Sequence, residues 1–183
     1  VSKPTYVLFP KSKEELEEMI EDEISKNGDE CSLNHINVSK LTDMADLFFG
    51  SKFNGDISDW DVSNVTNMDS MFYNSKFNGD ISNWDVSRVE NMSMMFAYSK
   101  FDGDISSWNV SNVENMEGMF SDSVFNGDIS KWDVSKVENM DGMFYFADFD
   151  SDISGWNVSQ VKSMGDIFSL SPLSKNPPKW YKK

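Results

Sequence analysis

The chain has 183 residues, 39% of them hydrophobic, which suits one domain with a continuous but thin core. Its 16 Lys and Arg stand against 31 Asp and Glu, and the net charge of −15 repels phosphate backbones and anionic membrane surfaces. Nucleic-acid binding is thereby excluded, a basic protein partner is favoured, and the single cysteine, Cys31, allows no internal disulfide.

No apolar run approaches the ~20 residues needed to cross a bilayer, so no membrane insertion is expected. The opening VSKPTYVLFP has no signal-peptide core, yet it begins with Val. The compartment therefore stays open: cell surface or secretion if a leader has been removed, cytoplasm otherwise. Residues 6–9 read as a short strand beside a helix predicted over 13–26. Ser12 and Glu15 have capping-box spacing, Leu16, Met19, Ile20 and Ile24 form an apolar stripe, and Gly28 stands where the helix would stop. Such a helix would lie over the open end of the core.

From residue 31 the sequence repeats with a period of 24, marked by Trp60, Trp84, Trp108, Trp132 and Trp156. A fixed period of this length signals an array whose units are stable only when stacked. Alignment of the copies gives eight apolar columns, begun by Phe53, Ile57, Trp60, Val62, Val65, Met68, Met71 and Phe72. Trp60 and Val62, two apart, would share the inner face of a short strand, with Asp61 turned to water. The preceding Asn54-Gly55-Asp56 reads as a turn in which Gly55 takes a positive φ. Val65 and Met68 suit a second extended piece, and Met71 to Ser75 a helical turn or loop. In residues 31–51, Leu33, Ile36, Val38, Leu41, Met44, Leu47 and Phe48 fill the same columns, with Ile36 in place of Trp.

At the other end, Leu173 falls in the Phe column and Trp180 in the Trp column, making half a rung. Pro177 and Pro178 cannot donate ladder hydrogen bonds and suit an edge that refuses further strands. The expected fold is a β-rich repeat solenoid with short helical turns and about six 24-residue rungs. An N-terminal cap would occupy 1–30, the solenoid 31–172 and a Pro-containing C-terminal cap 173–183, together a complete folding unit.

The rung "ISNWDVSRVENMSMMFAYSKF", with W-[DN]-V-S, N-M and M-F at fixed offsets, resembles the BspA-type repeat family of bacterial surface proteins, a divergent branch of leucine-rich repeats. It is most similar to the Trp-Asp-Val-Ser / Met-Phe subfamily of unknown function, and the resemblance covers residues 31–180, including the closing NPPKWY. It implies a right-handed, leucine-rich-repeat-like solenoid that binds proteins or host surfaces and has no catalytic residues. The wall-attachment signals of many relatives are not visible here.

Among candidate sites, the methionines keep core periodicity, so gap-filling is expected of Met68, Met92, Met116, Met140 and Met164 in preference to soft-metal binding. The column Asp56, Asp80, Asp104, Asp128 and Asp152 admits two readings. Each carboxylate accepts backbone N–H bonds in its own turn, or calcium bridges successive turns; the first is expected. Cys31 and His35 lack a third group for catalysis, so no enzyme, catalytic residue, cofactor or bound metal is expected. The Trp column, two residues from Val, is expected inside.

Function is left to the outer surface. Tyr73, Tyr98, Tyr145 and Phe146 follow the Met-Phe pairs irregularly, as exposed anchors would. Glu90, Glu114 and Glu138 form an acidic file beside Asp61, Asp85 and Asp133, serving either recognition or solubility. The leading expectation is a non-enzymatic protein-recognition module for adhesion to host or neighbouring cells. The alternative is an intracellular acidic immunity or inhibitor protein that neutralises a basic toxin.

Overall fold

The structure, a computed structural model, describes residues 6–182; residues 1–5 and 183, at the outer limits of the two expected caps, lie outside the described residues. Its first element is helix α1, Lys13–Asn27. The Ser12 hydroxyl accepts the Glu15 N–H at 3.3 Å, and Gly28, at φ 86°, ends the helix by donating its N–H to the Ile24 carbonyl at 2.8 Å. Leu16 and Ile20 are buried in the same apolar cluster as Leu33 and Ile36 of the first repeat, so α1 covers that end of the core. The preceding segment is not a strand of any length. Leu8 forms a single parallel bridge with Ile36, flanked by a Val7 N–H bond to the His35 carbonyl at 2.9 Å.

Beyond α1, each 24-residue unit is a chain of turns. In one unit the N–H groups of Trp60, Val65, Met71, Tyr73 and Ser75 each donate to the carbonyl three residues back. At corners between these turns, Ser58 and Ser63 N–H groups donate to the carboxylates of Asp56 and Asp61. Donors that a strand would aim at its neighbour are therefore spent within the unit, every few residues.

The expectation of a β-rich, right-handed leucine-rich-repeat-like solenoid is corrected by this pattern. Among the described residues there is no sheet, only seven isolated parallel bridges, five of them along the file Asp43, Asn67, Asn91, Asn115, Asn139 and Ser163. The recurrent helical turns are absent too: besides α1, the described helix is a three-residue 3₁₀ turn, Pro172–Ser174.

What joins one unit to the next is a sparse but regular set of hydrogen bonds. Met68, Ser70, Phe72 and Asn74 donate to the carbonyls of Asn91, Ser93, Met95 and Ala97 at 2.8 to 2.9 Å. Side chains add to these. The Asn91 amide donates to Asn67 Oδ1 at 3.2 Å, while Oδ1 of Asn91 accepts the Ser93 N–H at 3.0 Å. Each indole also reaches back one unit: Nε1 of Trp60, Trp84, Trp108, Trp132, Trp156 and Trp180 donates to a carbonyl 27 residues earlier, at 2.9 to 3.2 Å. A tryptophan thus buries its rings and satisfies its side chain's only donor on the neighbouring unit.

The interior is a file of rings. Phe72 lies 5.6 Å from Phe96 and Phe96 5.8 Å from Phe120, nearly parallel, and each is also within 4.4 Å of the first phenylalanine of the following unit. The Val, Met and Ile columns are likewise buried through the central units. At the last unit Val158, Val161 and Met164 are only half-buried, and Trp180 stacks on Trp156 at 6.4 Å.

Gly55 has no positive φ, contrary to the turn reading. A Cβ there would stand 1.9 Å from the Cys31 carbonyl oxygen, and at Gly79, Gly103 and Gly127 it would strike the ring of the phenylalanine two residues earlier, at 2.8 Å. Glycine is needed there for space, because the chain folds back over its own buried ring.

Candidate functional site

The Met-Phe half of each unit ends in a tight outer turn with two left-handed positions. The first is held by Asp46, Ser70, Met94, Gly118, Gly142 and Asp166; the second by Gly50, Asn74, Tyr98, Asp122, Phe146 and Leu170. Left-handed backbone suits Gly, Asn and Asp, and it is costly for a bulky side chain. Tyr98 at φ 57°, Phe146 at φ 53° and Leu170 at φ 63° occupy it nonetheless. All three are exposed, at 45%, 53% and 65%.

These residues fall into groups. Phe49 stacks on Tyr73 at 4.6 Å and 8°, and Tyr73 meets Tyr98 at 5.3 Å, so one aromatic patch spans the first three units. Tyr145 and Phe146 are exposed two units further on, after Ser121 and Asp122. The predicted Tyr73, Tyr98, Tyr145 and Phe146 are thus brought to one kind of turn without forming one continuous strip. Phe49 and Leu170 belong with them and were missed. Their signal was available, since each stands a multiple of 24 residues from a chosen position.

The file of Glu90, Glu114 and Glu138 is exposed and knit by its backbone, Glu114 donating to Glu90 and Glu138 to Glu114 at 2.8 Å. It is not a purely acidic stripe. Arg88 and Lys136 line a shallow groove with Glu90 and Glu114, and Lys162 pairs with Glu138 at 2.7 Å.

In the Asp56 to Asp152 column, every Oδ1 accepts the N–H of the serine two residues on, at 2.8 to 3.0 Å. These bonds hold the carboxyls below their ordinary range. For Asp80 the Ser82 N–H and hydroxyl outweigh burial and the charges of Asp56 and Asp104. For Asp56, burial pushes upward and is the largest influence, but the bonds from Ser58 and Asn34 together exceed it. Among the described residues no three His, Cys, Asp or Glu side chains converge on a metal position.

Cys31 is half-buried, and burial, with the charge of Glu23, pushes its thiol upward, away from the thiolate. His35 Nε2 lies 3.4 Å from the same glutamate of α1. His35 therefore takes part in seating the helix.

A family model described as Mycoplasma protein of unknown function, DUF285, matches residues 14–124 and again 97–180. No curated protein and no solved structure matches the chain.

Proposed function

Since the chain belongs to that DUF285 family of Mycoplasma proteins of unknown function, we propose a function from its surface: a non-enzymatic protein-recognition module that serves adhesion, in the manner of BspA-type surface proteins. The observation that carries this reading is the second left-handed position of the outer turn. Gly50, Asn74 and Asp122 fill it at ease, whereas Tyr98, Phe146 and Leu170 fill it with exposed apolar bulk under backbone strain. Strain kept at an exposed, apolar position is supported best by a gain elsewhere, and binding is the gain that exposed aromatics supply. Tyrosine and phenylalanine offer large contact area with only two χ angles to immobilise, on turns whose backbone is already fixed.

The net charge adds a preference for a partner with a basic rim, attracted over about one Debye length. The inhibitor alternative rests on an acidic stripe, and the cations interleaved at Arg88, Lys136 and Lys162 weigh against it.

Beads coated with the chain provide the test, by adhesion to a host-cell monolayer. The triple variant Tyr98→Asn, Phe146→Asn, Leu170→Asn is expected to lose most of the adhesion while keeping a cooperative unfolding transition. Adhesion equal to wild type would remove these turns from the function.

A further inference from the structure

Beside the aromatic patch the first units carry a second regular feature. Lys52, Lys76 and Lys100 occupy one column on three successive units, and the column continues as Val124 and Asp148. All three lysines are exposed, and none lies within 4 Å of a carboxylate among the described residues, in a chain with 31 Asp and Glu. They line one groove of about 450 Å³ with Asn54, Asn74, Ser75, Tyr98 and a single acid, Glu30.

Ser75 supplies the independent observation. Its counterparts Ser99, Ser123 and Ser171 donate their hydroxyls to the Phe carbonyl three residues back, at 2.8 to 2.9 Å. Ser75 is 2% exposed, lines the groove, and its Oγ has no hydrogen-bond partner. A buried hydroxyl left without a partner costs free energy unless something satisfies it. The Glu30 carboxylate, 3.4 Å from the Asn54 amide nitrogen, stands at the groove as an internal acid.

We propose that this groove binds an extended acidic peptide segment with carboxylates on alternate residues. This rests on the protein-recognition reading and places an acidic segment of the partner at the lysine-lined groove, while a basic rim would face the acidic remainder of the surface. In an extended chain, alternate side chains on one face repeat at about 6.4–6.8 Å. Lys52, Lys76 and Lys100 recur once per unit, and the buried rings of the phenylalanines that follow them, Phe53, Phe77 and Phe101, have centroids 6.2 and 6.4 Å apart; the proposal sets one carboxylate of the peptide against one ammonium per unit. Asn54 and Asn74 add neutral donors, which suit carboxylate oxygens or a peptide carbonyl, and the Ser75 hydroxyl, shielded from solvent in the free chain, would gain a partner by turning into the groove. Long polyanions such as nucleic acid or a sulfated glycan would bring most of their charge against a surface of net −15. A short acidic segment concentrates its charge where the three lysines are.

The test is fluorescence anisotropy on the full chain with a labelled nine-residue peptide of alternating Glu and Ser. Probes for comparison are an isomer with its glutamates contiguous, a Gln/Ser peptide, and heparin. Preferential binding of the alternating peptide is expected, weakened at least tenfold by Lys76→Gln and about threefold by Ser75→Ala. Glu30→Gln is expected to tighten it several-fold, a gain that a misfolded variant cannot produce. No binding of the alternating peptide, equal binding of the isomer, preference for heparin, or indifference to both Lys76→Gln and Glu30→Gln would each overturn the proposal. These variants leave Phe146 and Leu170 intact, so a chain that ignores the peptide while its beads still adhere loses this inference alone.

Discussion

Phe96 and Tyr98 sit two residues apart on the same turn and obey different rules. Phe96 is fully buried and stacks on Phe72 and Phe120, at 5.6 and 5.8 Å. Its column is Phe in every unit from Phe48 to Phe168, because a smaller ring or chain would strip contacts from two neighbours at once. Tyr98 touches Tyr73, lines the lysine groove and is 45% exposed, and its column runs Gly, Asn, Tyr, Asp, Phe, Leu. A change there alters one turn. Uniformity inside is a packing constraint propagated along the stack, whereas variety outside is where each unit is free to differ.

The largest effect should come from breaking the interior. Trp108→Ala removes a 4%-exposed ring and its bond to the Ile81 carbonyl at 3.1 Å, and is expected to cost about 3–5 kcal/mol in denaturant unfolding. Next is a change that adds a single methyl. Gly103→Ala would place Cβ 2.8 Å from the Phe101 ring, and a loss of about 1–3 kcal/mol is expected. On the outside, Gly50→Ala adds a Cβ that meets no atom within 4 Å, so it isolates the strain of φ 64°. A loss of about 1 kcal/mol is expected, measurable as a melting shift of about 2–4 °C.

The smallest effect concerns the Asp column. Its carboxyls are held below their ordinary value by the serine bonds, so their contribution is fully present above the unfolded-state value near 3.8. It is lost as pH falls through the lower folded values. Melting followed from pH 6 to 2.5 should therefore decline only at the acid end, in part through these groups. Added calcium should leave the melting temperature unchanged, and a rise of several degrees would show ions bridging the units instead.

Much of this was legible in the sequence because period is a one-dimensional signal. The column assignment placed Trp108 and Met116 inside, and Ser12 with Glu15 announced the start of α1. The backbone was not legible in the same way. Trp60 and Val62 do share the interior, but the alternation that suggested a strand is also produced by successive turns with one inward side chain each. The Asn67, Asn91, Asn115 and Asn139 file carries most of the isolated bridges, a role that lies in the next unit and that no column of the sequence announces. The glycine of Asn-Gly-Asp was read for conformational freedom, whereas it makes room for a ring two residues away. Of the candidate surface, the aromatics were visible as irregularities, but their strain was not, since φ at Tyr98 or Phe146 depends on where the turn begins.

The central claim is that exposed apolar residues are held at left-handed positions at a cost to the fold. Thermal unfolding of Phe146→Asn/Leu170→Asn against wild type tests it directly. Neither side chain has an aromatic partner among the described contacts, so their removal should raise the midpoint by about 2–4 °C or more. A lowered midpoint would mean that these side chains stabilise the turn they occupy, and the account of the outer surface would be contradicted.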